Sequence, residues 1–432
     1  MKLKQLLFLF LGTSIFLFSC KKEDDVQSDS TSLTITTSAP TNISTRKASF
    51  QGEISFTSSS TVKLKEYGFV WSDTPNPTVA ANKVVMGSEL SEITSPFMLF
   101  GSVTELAMST TYYVRGYAIA ENGTVAYSSD ATFQTLGGNN WETLTNFPGK
   151  MDQWALGFSI GDKIYVGNGL ANETSSSFTT KEWWSYSITT DKWTQKADFP
   201  GANSSLATSF AIGNKGYIVT GGGDQTKACW EYSPDTDGWT KKAGFPGDDR
   251  VQAVSFVLNG KGYVCGGMLV NGANMLYDLW EFDPTNATAG TDANGNPLGK
   301  WTQKKSTPIQ SIQQAMSFTL GTKGYVLADK NNTLGGRPLM EYDPAQNNWT
   351  IKSAVLPTNY VNKGFAFGLS DKAYAGGLPN ESSYGTFWEY TLQTDAWTQK
   401  TNVPFYTGDG WTTTYNGRGY CLMLADFYEY IP

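Results

Sequence analysis

The sequence predicts an all-β protein: a β-sandwich over residues 33–136, then six copies of a four-stranded unit over residues 141–432. Three observations carry this. Aromatic residues make up 14% of the chain and glycine occupies 44 positions, a composition of short strands and tight turns rather than long helices. Tryptophan recurs at 141, 193, 239, 301, 349 and 397, and a tyrosine follows each at 165, 217, 263, 325, 374 and 420. By subtraction these pairs are 24, 24, 24, 24, 25 and 23 residues apart, the regularity of one repeated supersecondary unit. Residues 33–136 alternate apolar and polar side chains in about seven short runs, as the strands of a sandwich do.

The N-terminus reads as an address. Lys2 and Lys4 precede an apolar run of 13 residues from Leu6 to Phe18, short for a membrane span and right for a secretory signal over residues 1–19. Leu17-Phe18-Ser19-Cys20 resembles a bacterial lipobox, which implies cleavage before Cys20 and lipidation of its thiol. The charged run Lys21-Lys22-Glu23-Asp24-Asp25 resembles the export signal of surface-exposed outer-membrane lipoproteins, and residues 20–32 read as a polar tether. The membrane is thus expected to be met through the anchor only.

Within residues 33–136, Ala48–Phe56, Glu66–Trp71 and Thr111–Ala118 read as strands. Leu106-x-Met108-x-Thr110-x-Tyr112-x-Val114 resembles the fibronectin type III pattern, with Met108 where that family has proline. The resemblance implies that the Tyr112 hydroxyl bonds upstream backbone as a tyrosine corner. Gly137-Gly138-Asn139-Asn140 is a linker by its turn chemistry.

Each later unit is legible strand by strand. A first strand carries Phe210, Phe256 or Phe318 and ends in a turn such as Asn259-Gly260 or Asn416-Gly417. A second carries Gly-Tyr and often ends in paired glycine, as at Gly221-Gly222, Gly266-Gly267 and Gly376-Gly377. A third carries Glu231, Glu281, Glu341, Glu389 or Glu429, and a fourth begins at the tryptophan. Paired glycine with spaced tyrosine and tryptophan resembles the kelch repeat, as in the central domain of galactose oxidase; the resemblance implies a six-bladed β-propeller. The last repeat stops after its third strand, while Trp141 opens the region as an unmatched fourth strand. The Trp141 strand is therefore expected to complete the last blade and remove the ring's open edges.

Composition excludes several functions. The chain has no histidine, which removes His-ligated metal centres, Ser-His-Asp catalysis and the copper chemistry of galactose oxidase. A net charge of −7 speaks against a nucleic-acid surface. Cys229, Cys265 and Cys421 sit in apolar strand patterns and read as buried thiols. The third-strand glutamates face Lys196, Lys242, Lys304, Lys352 and Lys400, three residues beyond each tryptophan, and read as cross-strand ion pairs. Thr291-Asp292-Ala293-Asn294-Gly295-Asn296 has oxygen ligands at alternate positions but no later glutamate, and reads as a plain loop before a calcium site. No cofactor or metal is expected.

Residues that repeat in every blade are scaffold; a site must lie where the copies differ. The loops leading into first strands vary most and share one end of the ring with the loops between second and third strands. There Trp154, Trp411 and Tyr360 are candidate platforms for a sugar ring, with Asp249, Arg250, Asp409 and Asn362 as orienting groups. The expected activity is non-catalytic binding of a glycan or a surface or periplasmic protein. A kelch-type sugar mutarotase or epimerase, with Asp249 or Asp409 as base and Arg250 beside it, is the alternative; a structural or adhesive role is a second.

Overall fold

The computed structural model describes residues 14–17 and 32–432, apart from 58–61, 151–152, 174–175, 202–205, 224–225, 311, 313–314, 329–335, 358–363, 378–384 and 406–409. The described elements are all strands, in two compact units, Met1–Asn140 and Trp141–Pro432.

The first unit is a β-sandwich. One sheet orders Ser14–Leu17, Ser32–Thr37, Ala48–Phe56 and Phe97–Val103. The other orders Asn82–Ile93, Val62–Ser72, Thr111–Ala120 and Val125–Tyr127, with Ala131–Gln134 also on Thr111–Ala120. Period-two alternation turns Phe50, Ile54, Phe69, Leu99 and Val114 into one core between the sheets. Tyr112 stacks on Phe133 with centroids 5.6 Å apart, and its hydroxyl accepts the Ala107 N–H at 3.0 Å, tying the turn before the strand to the core. Ser14–Leu17, within the segment read as a signal, pairs antiparallel with Ser32–Thr37 in the full chain.

The second unit is a six-bladed β-propeller. Blades 1 to 5 begin with Leu156–Ile160, Thr208–Ile212, Val254–Leu258, Met316–Leu320 and Gly364–Leu369. Blade 6 begins with Trp411–Tyr415, continues through Arg418–Met423 and Asp426–Ile431, and takes Asn140–Thr143 as its outer strand. The six first strands touch one another in sequence, and the first touches the last, so the ring closes around a channel.

Packing between blades explains the repeat. The glycine before four of the second-strand tyrosines is small because the first-strand phenylalanine of the preceding blade lies on it: a Cβ at Gly216, Gly262, Gly324 or Gly419 would come within 2.0, 2.3, 2.4 or 2.5 Å of Phe158, Phe210, Phe256 or Phe367. Blade 5 has Ala373 at this position, in one buried cluster with Phe318. Where blade 6 meets blade 1 the sizes reverse: Thr413 takes the phenylalanine's place and Ile164 the glycine's. The repeated tryptophans fasten the outer edges. Trp193, Trp239, Trp301 and Trp349 donate Nε1–H to the carbonyls of Thr145, Ala197, Ala243 and Lys305 on the preceding blade, at 2.8 to 3.1 Å. Beside them, Asp191, Asp237, Asn347 and Asp395 accept the backbone N–H of Thr145, Ala197, Lys305 and Ser353. Blade 3 carries its insertion at that turn, and the Leu298 carbonyl takes the Ala243 N–H instead.

Candidate functional site

The recurring carboxylates belong to the scaffold. Glu231, Glu281, Glu341, Glu389 and Glu429 accept the hydroxyl protons of Tyr217, Tyr263, Tyr325, Tyr374 and Tyr420 at 2.6 to 2.9 Å. Lys242, Lys304, Lys352 and Lys400 close the other side at 3.2 to 3.6 Å. Burial alone raises the Glu281 carboxyl, but bonds from Tyr263, Lys261 and Lys304 outweigh it and hold the group below its ordinary value. Lys196 departs from this pattern. Blade 1 has Ser185 opposite Tyr165, and Lys196 reaches Asp237 of blade 2 at 3.4 Å instead. In blade 6 Arg418 supplies the cation to Glu429.

Arg250, expected at a ligand, serves the scaffold. Its guanidinium is 0% exposed, meets both carboxylate oxygens of Asp278 at 2.6 and 2.8 Å, donates to the carbonyls of Gly266 and Asp248, and lies 4.7 Å from the Phe245 ring centroid. Its neighbour Asp249 is exposed and pairs with Lys227 at 3.5 Å. The sequence marks both as polar loop residues. Only the tertiary structure separates them, because Arg250 pairs with Leu269 in a short two-stranded ladder and turns its side chain under the hairpin that follows. By clamping Gly266 and Asp278, Arg250 holds both stems of that hairpin, which exposes Val270, Met275 and Tyr277.

Trp154 stands in the left-handed region at φ 54°, and so do Leu206 at 59° and Gln252 at 57°. All three lie four residues before the position of the first-strand phenylalanine, so this conformation is how the chain turns into an inner strand. Trp154 is half-buried at the upper end of blade 1, where the first strands begin. Tyr360, Asn362 and Asp409, with the lipidation residue Cys20, lie outside the described residues.

The site that the structure builds most completely is the channel itself. Three tiers line it. The uppermost holds Ala155, Ala207, Ala253, Ala315, Gly364 and Gly410; every position is alanine or glycine, so no side chain larger than a methyl projects from this tier. The middle tier holds Gly157, Ser209, Ser255, Ser317, Ala366 and Thr412. The lowest holds Ser159, Ala211, Val257, Thr319, Gly368 and Thr414. Two cavities of about 300 and 270 Å³ share the middle tier. Trp411 lines both, and its indole lies on Gly157, where a Cβ would meet Cζ2 at 2.7 Å. Of the two described candidate platforms, Trp411 lines this cavity and Trp154 does not. Sequence reasoning missed the tiers, although they are written three and one residues before, and one residue after, each first-strand phenylalanine or its counterpart Thr413, and become visible once the repeats are aligned on that position.

No family model matches the chain, and no curated protein matches it. One solved structure, described as the structure of YjhT, is 18% identical, aligning over 66% of this chain and 95% of its own with a TM-score of 0.49.

Cys229, Cys265 and Cys421 are buried and unpaired, and burial pushes their thiols up, away from the reactive thiolate. Asp292 is spent on its own loop, accepting the backbone N–H of Asn294 and Asn296 at 2.9 Å each. Among the described residues no group of three or more Cys, Asp or Glu is placed to hold a metal ion.

Proposed function

We propose that this protein is a non-catalytic binding module that captures a carbohydrate at the upper end of its propeller channel, held at the outer membrane through a lipid on Cys20. The observation that carries the reading is the Trp411 indole on the wall of an open cavity whose mouth is ringed by alanine and glycine. An indole face offers a flat apolar surface to a sugar ring, and small neighbours leave room for the ring to approach. Asp249 and Lys227 neutralise each other, and Arg250 is committed to Asp278, which favours binding over the acid–base chemistry of a mutarotase.

The test is a glycan array with the chain from Leu33 onward. A saturable hit is expected to be lost in Trp411→Ala while the melting temperature stays within a few degrees. Undiminished affinity in that variant would remove the site. Arg250→Ala is unsuitable as a binding probe, because it strips a buried ion pair from the scaffold. The anchor is tested separately: palmitate labelling is expected in the wild type and absent in Cys20→Ala, and labelling that persists would overturn it.

The exposed Val270, Met275 and Tyr277 favour a second reading, a protein ligand gripped by the blade 3 hairpin. A blank array, with crosslinked surface proteins lost in Tyr277→Ser, would select it.

A further inference from the structure

The channel wall has a donor–acceptor imbalance that points to the charge of what it holds. The first strand of each blade is an edge strand on its channel side, and alternate residues of an edge turn N–H and C=O away from the ladder. Gly157 sets the phase. Its N–H donates to Ser209 Oγ at 3.1 Å and its carbonyl accepts from the same hydroxyl at 2.8 Å, so both groups point away from its own blade. The blades share one register, with Phe158, Phe210, Phe256, Phe318, Phe367 and Thr413 opposite Tyr165, Tyr217, Tyr263, Tyr325, Tyr374 and Tyr420. The rest of the middle tier therefore has the phase of Gly157.

On that tier the carbonyls are largely capped by the next blade. Ser255 Oγ donates to the Ser209 carbonyl at 2.9 Å, Ser317 Oγ to Ser255 at 2.7 Å, and Thr412 Oγ1 to Ala366 at 3.2 Å. Among the described residues the carbonyls of Ser317 and Thr412 go uncapped, because the residues facing them are Ala366 and Gly157, which have no hydroxyl. The N–H groups are treated oppositely. Among the described residues that of Gly157 meets a hydroxyl, and those of Ser209, Ser255, Ser317, Ala366 and Thr412 meet no acceptor. On the middle tier five free donors stand against two uncapped carbonyls, and on the lowest tier, which lines the same cavity of about 300 Å³, Ser159 and Thr319 hydroxyls cap the Thr414 and Val257 carbonyls. The lining carries no charged side chain. A cluster of backbone N–H groups is a site for negative charge.

We propose that the middle tier of the channel binds an anionic group, a carboxylate, phosphate or sulfate, by its ring of backbone N–H donors. The group is either a free anion or the acidic substituent of a larger ligand. The inference is independent of carbohydrate capture: a neutral sugar binding at Trp411 with no anion below it would leave that reading standing and sink this one.

The test uses the full mature chain labelled with ¹⁵N-serine, titrated at constant ionic strength with inorganic phosphate, acetate, glucuronate and glucose. Saturable shifts at the Ser209, Ser255 and Ser317 amides are expected with the anions and not with glucose. Tighter binding of glucuronate than of phosphate or acetate assigns the group to a larger ligand; equal or weaker binding assigns it to a free anion. Ser255→Ala uncaps the Ser209 carbonyl and is expected to weaken the anion about fivefold, the scale of one hydrogen bond. Ala366→Ser caps the Ser317 carbonyl and is expected to strengthen it by a similar factor. Non-saturating shifts at these amides, or affinities that neither substitution moves, would overturn the proposal.

Discussion

Replacing Gly262 by alanine tests whether blades are held by the fit of one ring on one bare Cα. A Cβ at Gly262 would lie 2.3 Å from Cε2, 2.5 Å from Cζ and 3.0 Å from Cδ2 of Phe210. Ordinary carbon contacts lie near 3.5–4.0 Å, so the ring must retreat by about 1 Å. It has nowhere to go: Phe210 is 5% exposed and stacks on Tyr217 with centroids 5.4 Å apart. Overpacking of this kind costs about 1–3 kcal/mol, or roughly 2–8 °C of melting temperature for a domain of this size. The intrinsic preference has the opposite sign, since alanine in a strand is favoured over glycine by about 0.5–1 kcal/mol. The sign of the change therefore decides between packing and propensity. The junction of blades 6 and 1 supplies the second half of the experiment, because Thr413 and Ile164 already exchange the two sizes. Phe210→Thr alone is expected to lose about 3–5 kcal/mol, as large-to-small changes do. Adding Gly262→Ile should recover at least ~1 kcal/mol, a coupling read by a double-mutant cycle in denaturant. A Gly262→Ala variant that melts higher than the wild type, or a cycle that is additive, would refute the account.

Two further outcomes follow from the same scaffold. Glu281 titrates below its ordinary value of 4.5 in the folded protein, so its contribution is complete above that value and declines as pH falls through and below it. Glu281→Gln should therefore be less stable than the wild type near neutrality, and its denaturation midpoint should fall less on acidification from pH 6 to pH 3; parallel curves would contradict the assignment. Asn140–Thr143 is the outer strand of blade 6, so deleting it should open the ring and lower the cooperativity of unfolding. An unchanged transition in calorimetry would show that closure contributes nothing.

The sequence by itself determines the architecture, because strand period, turn chemistry and the tryptophan–tyrosine spacing are local signals repeated six times. The unmatched strand at Trp141 belongs to the same arithmetic, and the sheet order places it beside the third strand of blade 6. The cross-strand pairing of glutamate with lysine was equally legible for Lys242, Lys304, Lys352 and Lys400, since register follows from the repeat. It failed at Lys196, where Ser185 breaks the repeat and the cation turns to the neighbouring blade. What the tertiary structure decided is which side of the backbone each variable residue meets. Asp249 and Arg250 are adjacent and equally polar, yet one lies in solvent and the other is sealed beneath a hairpin, because the short ladder with Leu269 begins at Arg250 while Asp249 precedes it and pairs with Lys227 at the surface. The channel is the clearest case. Its alanines, glycines and serines carry no chemical signal singly, and they become a cavity only when six blades bring equivalent residues around one axis, with the hydroxyls of Ser209, Ser255, Ser317 and Thr412 each committed to a carbonyl of the blade before it.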